Sequence, residues 1–419
     1  MSQKTTSASV RARTLALAGA ASFLLQTALY AVLKALSRFR TRDDSLWAFG
    51  ARGGEAFADN SKYLYLHVAA EHPDVRAVWL SKNREVVADL QDHGYEAYHC
   101  HSLRGLLANL RAGVVFLTQG HRDLLMPCCA GAFTVMLWHG VPLKRISWDA
   151  EFVRDPAPIQ AARAYIAREF DLLTIPGGGV ADPFESGLRI PRDRMVATGY
   201  PRNDALFGPI RGEEVGTDSA ALARVRDLAE RHPVVCYLPT YREGEETVAE
   251  NLDARALDDL FADRDAYLVV KTHPKERLDL PPDLSRIVHL SEKTDVYPLL
   301  RETDALLTDY SSVYFDYLLL DRPVAFYPFD RESYTADRGF YFDYDEVVAG
   351  PVASDFPELL DALGRALDAV EAPDSDPDAD RRRAVRRAVF DAETQEQRRA
   401  AAVCDVVEAR LRKENSDTS

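Results

Sequence analysis

Five short stretches carry side chains able to move a proton or hold a phosphate, and each directly follows an apolar run of the kind that forms a buried strand. In Leu137-Trp138-His139-Gly140-Val141-Pro142-Leu143-Lys144 an imidazole occupies a glycine turn with a lysine just beyond. An unperturbed imidazole titrates at about 6.5, so it can accept a hydroxyl proton at neutral pH. His139 is thus a candidate general base, although a strand-end histidine can equally be structural. In Thr198-Gly199-Tyr200-Pro201-Arg202-Asn203-Asp204, the polar pair Arg202 and Asn203 either positions a ligand or sets the angle between two halves of the chain. The stretch Leu238-Pro239-Thr240-Tyr241-Arg242 places a hydroxyl and a guanidinium two residues apart, and Arg242 can donate two parallel hydrogen bonds to a phosphate. Lys271-Thr272-His273-Pro274-Lys275 sets His273 between two lysines, a cluster suited to the charge that builds on a departing nucleotide phosphate. Finally, Thr308-Asp309-Tyr310-Ser311-Ser312 ends a strand and opens a helix. A serine cap there leaves free N–H groups for a diphosphate, and Asp316, one turn on, is placed to grip ribose hydroxyls. Arg338, in Tyr334-x-x-x-Arg338-Gly339, brings one more cation to the same edge.

These positions gain meaning from the elements that carry them. Short apolar runs alternate with helix-like stretches, first YLYLHVAA, VRAVWLS, YEAYHC, VVFLTQ and FTVMLWHG, then PVVCYLP, AYLVVK, RIVHL, ALLTD and PVAFYPFD. Strands spaced by ten to fifteen residues predict βα units and two consecutive, mostly parallel open sheets, in which ligands sit beyond the carboxyl ends of the strands. A chain of 419 residues suits two such cores better than one. The expected division is 1–42 as a membrane-anchoring segment, 43–210 and 211–372 as two Rossmann-like domains, and 373–419 as linker, closing helix (383–412) and polar tail. No G-x-x-x-x-G-K-[ST] or G-x-G-x-x-G occurs, so an ATP-type phosphate loop and a dinucleotide fingerprint are both unsupported. The glycine run PGGGV at 176–180 reads as a loop. With 66 acidic against 51 basic residues the net charge of -15 disfavours nucleic acid as a partner. Only 9 of the basic residues are lysine, a balance found in proteins of concentrated salt; stability rising with molar KCl would bear out that halophile reading. The five cysteines show no C-x-x-C and no spacing with histidine that suits zinc, so they read as reduced thiols of a cytosolic compartment.

Thr14 to Leu33 is a run of twenty uncharged residues, with Arg11 and Arg13 before it and Lys34, Arg38, Arg40 and Arg42 after it. As a helix it would reach roughly 30 Å, the thickness of a hydrocarbon core. The basic flank favours anionic headgroups and a catalytic body on the cytoplasmic face. Whether the helix spans the bilayer or lies on it stays open.

Taken in order, WHGVPLK, TGYPRND, LPTYR, KTHPK and TDYSSVYFDYLLLDRPVAFYPFD…YTADRGFYFDY resemble the CDP-glycerol glycerophosphotransferase family of wall teichoic acid primases and polymerases. The resemblance covers roughly residues 130 to 345. It implies an α/β fold of the glycosyltransferase-B (GT-B) type, two Rossmann-like domains facing a cleft, together with membrane association and no metal or cofactor. It implies transfer of an alditol phosphate, glycerol phosphate foremost, from a CDP-alditol such as CDP-glycerol to a hydroxyl of a membrane-linked polymer or glycolipid acceptor, with release of CMP. By position, His139 resembles the histidine that deprotonates the acceptor and His273 the one that contacts the donor diphosphate. Thr240, Arg242, Lys275, Asp309, Ser311, Ser312, Asp316 and Arg338 fall on the donor side, and Gly140, Lys144, Arg202 and Asn203 on the acceptor side. Two other functions fit the scaffold: a glycosyltransferase using a UDP-sugar, which would release UMP or UDP, and a non-catalytic membrane adaptor, which would bind no CDP compound.

Overall fold

The computed structural model describes residues 2–37, 42–242, 248–272, 278, 280–396 and 398–417. Two fully parallel sheets organise them. The first has seven strands, β1 (Asp43–Phe49), β2 (Arg76–Ser81), β3 (Ala97–His99), β4 (Ala112–Leu117), β5 (Phe133–Met136), β6 (Leu172–Ile175) and β7 (Met195–Ala197), in the order β3-β2-β1-β4-β5-β6-β7. The second has five, β8 (Val234–Tyr237), β9 (Tyr267–Val270), β10 (Ile287–His289), β11 (Ala305–Thr308) and β12 (Val324–Phe326), in the order β10-β9-β8-β11-β12. Their runs of Val, Leu, Ile and Phe are buried throughout β4, β5, β6, β8 and β11, as expected when helices cover both faces. Strand order reverses between β1 and β4 in one sheet and between β8 and β11 in the other, and such switch points are where open parallel sheets bind ligands.

The second sheet follows the sequence reading strand for strand, whereas the first departs from it. YLYLHVAA is not a strand: it lies in the helix Asp59–Glu71, whose residues Tyr63 to Leu66 are all buried. A helical stretch covered on every side, as Tyr63 to Leu66 is, can be as continuously apolar as a central strand, so periodicity cannot separate them. The first strand is instead β1, masked by its acidic start. Cys128 and Cys129 occupy a 3-10 turn, and all five cysteines are buried and free.

The closing segment also differs. In place of a polar linker and a single helix, three helices follow, Ala379–Val389, Ala392–Glu396 and Arg399–Asp417. Arg382 forms a buried pair with Asp376 inside the expected linker. This segment returns to the first sheet. A Cβ on Gly177 would lie 2.5 Å from the Val389 carbonyl, so the glycine run at 177–179 is what admits the returning backbone. Asp204 caps the last helix, accepting from the backbone N–H of Arg399 at 3.0 Å and of Ala400 at 2.9 Å.

The N-terminal helix spans Ser2–Ser37, about 54 Å at 1.5 Å per residue, and Leu17–Ser37 is long and apolar enough to cross a membrane. One face nevertheless packs on the body. Tyr30 is buried, with its hydroxyl donating to Glu169 at 3.1 Å, and Lys34 pairs with the same carboxylate. Leu17, Leu25 and Leu29 on other faces stay exposed. The basic flank is thus partly spent within the protein. Arg42, expected to meet headgroups, donates instead to the carbonyls of Asn109, Ala112, Cys128 and Ala130 at 2.5 to 3.2 Å.

Candidate functional site

The loops at the carboxyl ends of the two sheets meet, and His139 stands at the junction. β5 pairs in parallel with β4 up to Leu117↔Met136, so the turn after β5 lies beside Thr118, the residue after β4. His139 Nδ1 is 3.0 Å from the Thr118 carbonyl oxygen, which can only accept, so Nδ1 carries the proton and Nε2 keeps its lone pair. That is the tautomer a general base requires. Burial lowers the imidazole pKa; Asp59 and the Thr118 bond oppose the shift, and Arg202 and Arg52 reinforce it. The ring therefore stays neutral to more acidic pH than a free histidine.

The turn itself is held under strain. Trp138 has φ +54, a conformation that bulky residues avoid, and Gly140 has φ +142. Asn60 secures this geometry, donating from Nδ2 to the carbonyls of Leu137 at 3.2 Å and Trp138 at 2.9 Å. Thr118 is fixed in turn by Asp123, whose carboxylate accepts from the N–H groups of Thr118 (2.7 Å), Gln119 (2.8 Å) and Gly53 (2.7 Å). The loops after β1, β4 and β5 are thus tied together by two buried polar residues, Asn60 and Asp123.

Across the junction, a Cβ on Gly140 would come within 2.5 Å of Ser312 Oγ and 3.2 Å of Arg202 Nη2. Only glycine lets the His139 turn sit directly on the segment after β11. Lys144 also reaches over: Nζ donates to Tyr334 Oη at 3.1 Å, and its backbone bridges to Phe340. Although grouped on the acceptor side by sequence, Lys144 faces the second half. Burial pushes its pKa down to about 8, with Arg338 and Arg242 adding repulsion and Asp309 opposing. Lys271, after β9, is likewise depressed by burial and by Arg52 from the first sheet. Cations from both sheets therefore crowd one region, where an anion would relieve them.

Several expected ligands are paired with other side chains of the protein. Arg242 Nε and Nη2 bond Asp330 at 2.9 and 3.1 Å, and Nη1 pairs with Asp309 at 2.8 Å. The two parallel bonds expected to reach a phosphate are therefore spent on Asp330. Asp309 further accepts from the Thr240 N–H at 3.0 Å, fixing the loop after β8 to that after β11. Asp316 is fully buried rather than presented to a ribose; its Oδ2 accepts from Arg202 Nη2 at 2.7 Å and Tyr297 Oη at 3.0 Å. Arg202 uses its other nitrogen on Asp59 at 2.6 Å, and Asn203 lies buried beside Asp316. Hence Arg202, Asn203 and Asp316 fasten the two halves. Ser312 precedes a helix of only five residues, Val313–Tyr317, and the cap bond expected of its side chain is not made; Ser311 Oγ approaches the Val313 N–H at 3.5 Å. Arg338 is exposed at the rim beside Lys144. His273 and Lys275 lie outside the described residues.

Sequence reasoning missed Asp59, Asn60, Thr118, Asp123 and Tyr297. Asp59 and Asn60 had one visible cue, the polar run Asp59-Asn60-Ser61-Lys62 directly before the apolar YLYL.

A family model for CDP-glycerol:poly(glycerophosphate) glycerophosphotransferase matches residues 32–409. A teichoic acid glycerol-phosphate transferase of Staphylococcus aureus is 30% identical over 355 residues, covering 81% of this chain and 88% of that protein. A teichoic acid poly(glycerol phosphate) polymerase of Bacillus subtilis is 29% identical over 75% of this chain, which spans only 43% of that longer protein. Among solved structures, the wall teichoic acid polymerase TagF superposes with a TM-score of 0.72 at 23% identity, over 96% of this chain and 97% of that one. A UDP-GlcNAc 2-epimerase of Neisseria meningitidis shares the fold at a TM-score of 0.51 and 13% identity, over 87% of this chain and 99% of that one.

Proposed function

The chain belongs to the CDP-glycerol:poly(glycerophosphate) glycerophosphotransferase family, and on that premise we propose how its two sheets divide the reaction. The protein transfers glycerol phosphate from CDP-glycerol to a teichoic acid acceptor. We assign a GT-B arrangement, with the first sheet supplying the base and the second holding the nucleotide. The acceptor hydroxyl, hydrogen-bonded to His139 Nε2, gives its proton to that nitrogen as its oxygen attacks the β-phosphorus. The bond from that phosphorus to the bridging oxygen breaks, and CMP departs with the electron pair. Lys144, Lys271 and Arg338 stabilise the charge on the diphosphate, and His273 and Lys275 are assigned to the same role by position in the sequence. Positioning and electrostatics carry most of the acceleration, as in other phosphoryl transfers.

The observation behind this division is the His139 turn lying directly on Ser312, with a tautomer that leaves Nε2 free to accept. A panel of CDP-glycerol, CDP-ribitol and UDP-sugars, with the released nucleotide identified by chromatography, tests it. CMP released from CDP-glycerol is expected; UMP or UDP from a UDP-sugar would overturn it.

Lys144 gives a separate expectation. With a pKa of about 8, it is protonated at neutral pH and loses its charge above that value. The donor KM should therefore rise above about pH 8. Lys144→Ala should raise the donor KM about 10-fold at pH 7, the scale of one lost charge-assisted hydrogen bond, and flatten its pH dependence. A donor KM that does not move counts against the assignment.

The N-terminal helix attaches the protein to the cytoplasmic face of a membrane. Since residues from Phe23 onward pack on the body, the attached helix lies along the surface over that length, its exposed leucines toward lipid. Leu25→Asp with Leu29→Asp should move the protein from the membrane pellet to the supernatant and leave its circular dichroism unchanged. Retention in the pellet would reject this surface.

A further inference from the structure

We propose that His67, His72, Cys404 and Glu408 form a binding site for a zinc-type divalent metal ion, one that fastens the returning C-terminal helix to the first sheet's half of the protein. His67 belongs to the helix Asp59–Glu71 and His72 follows its last turn, while Cys404 and Glu408 lie four residues apart on one face of the helix Arg399–Asp417. More than 330 positions separate the histidines from the cysteine in the chain, so no spacing motif announces the cluster; only the return of the chain to the first sheet assembles it.

The geometry is close to that of a bound ion. One ligand atom from each of His67, His72 and Cys404 lies within 4.8 Å of the others. Glu408 Oε1 is 3.3 Å from His72 Nδ1. A tetrahedron with zinc–nitrogen and zinc–oxygen bonds of about 2.0 Å and a single zinc–sulfur bond of about 2.3 Å has edges of roughly 3.3 to 3.6 Å. The His72–Glu408 edge already matches; among His67, His72 and Cys404 the widest gap, up to 4.8 Å, must close by roughly 1.2 Å, and Glu408, outside that triangle, must swing in to complete the tetrahedron. That movement is available to the imidazoles, which are half-buried, while Cys404 stays fixed in the core.

The donor set selects the metal class. A thiolate with two imidazoles suits zinc and excludes calcium and magnesium, which take oxygen ligands. Three side-chain ligands of this kind plus a carboxylate fill all four positions, the pattern of a structural site. His67 favours the neutral, ligating form, its pKa depressed by burial and by the neighbouring His72 against Asp204 and Glu71. Cys404 is held as the thiol by burial and by Glu408 and Asp405. Binding therefore releases the thiol proton to solvent, and affinity should strengthen with rising pH. A cavity of about 500 Å³ borders His67 and the start of the C-terminal helix, on one side of the cluster.

The test uses the full-length protein in detergent, free of any polyhistidine tag and purified without chelator. After incubation with micromolar zinc and desalting, mass spectrometry should find about one zinc per chain, and at least 10-fold less in Cys404→Ser and in His67→Gln. Loading the wild type with cobalt(II) should give a thiolate-to-cobalt charge-transfer band, a readout that needs no variant. Zinc should raise the thermal midpoint of the wild type and not that of Cys404→Ser. Less than about 0.1 zinc per wild-type chain, full zinc in a folded Cys404→Ser protein, or cobalt bound with no thiolate band would each overturn the proposal.

Discussion

His139→Ala is expected to lower kcat with CDP-glycerol by at least about 100-fold, roughly 2.7 kcal/mol of barrier, while the donor KM changes little. The side chain contributes a proton acceptor and no charge, so its loss removes an interaction made in the transition state. Circular dichroism should match the parent. The pH profile adds a second readout. The working form is neutral imidazole, and burial depresses its pKa, so activity survives as pH falls below the usual histidine value of about 6.5. The acid limb of kcat/KM should lie on the acidic side of that value. The same shift affects stability. Because the folded pKa lies below the unfolded one, the unfolded chain binds more protons in between, and stability present above about 6.5 is lost as pH falls toward the folded value. Undiminished turnover in His139→Ala would remove the imidazole from the mechanism.

Arg202→Met is expected to cost about 3–5 kcal/mol of stability, the usual price of stranding buried charge. Its guanidinium joins Asp59 at 2.6 Å to Asp316 at 2.7 Å, one carboxylate from each half, and all three are buried. Removing it strands two carboxylates. Burial already raises the pKa of Asp316, while the charges of Arg202 and Arg52 outweigh burial at Asp59 and lower it. Without the cation both would be driven toward their protonated forms. Urea denaturation should show the loss as a lower midpoint, and Arg202→Lys should not restore it, since an ammonium cannot present two nitrogens in a fixed fork. A loss below about 1 kcal/mol would mean that the cluster is not the fastener it resembles.

The motifs were legible one by one because strand-end chemistry leaves a local trace: an apolar run, then glycine and a polar side chain. His139, Gly140 and Lys144 could be placed on a loop in this way. The partners of those groups could not. Arg242 reads as a phosphate ligand in sequence, yet Asp330 lies 88 positions on and takes both of its parallel hydrogen bonds. Asp316 reads as a ribose ligand from helix spacing, but its neighbour Arg202 comes from the other half of the chain. The helix Asp59–Glu71 escaped notice for the reason that makes it useful, the burial of Asp59 to Leu66 on every side.

The amino-acid sequence by itself determined the family, the parallel strands of the second sheet, the apolar N-terminal helix and the strand-end position of the candidate base, because each depends on residues close together along the chain. Tertiary structure alone decided which polar groups are spent on one another, which nitrogen of His139 carries its proton, and that His67 and Cys404 meet. Those outcomes depend on distances between residues separated by tens to hundreds of positions, and pairing, burial and protonation follow those distances rather than local order in the chain.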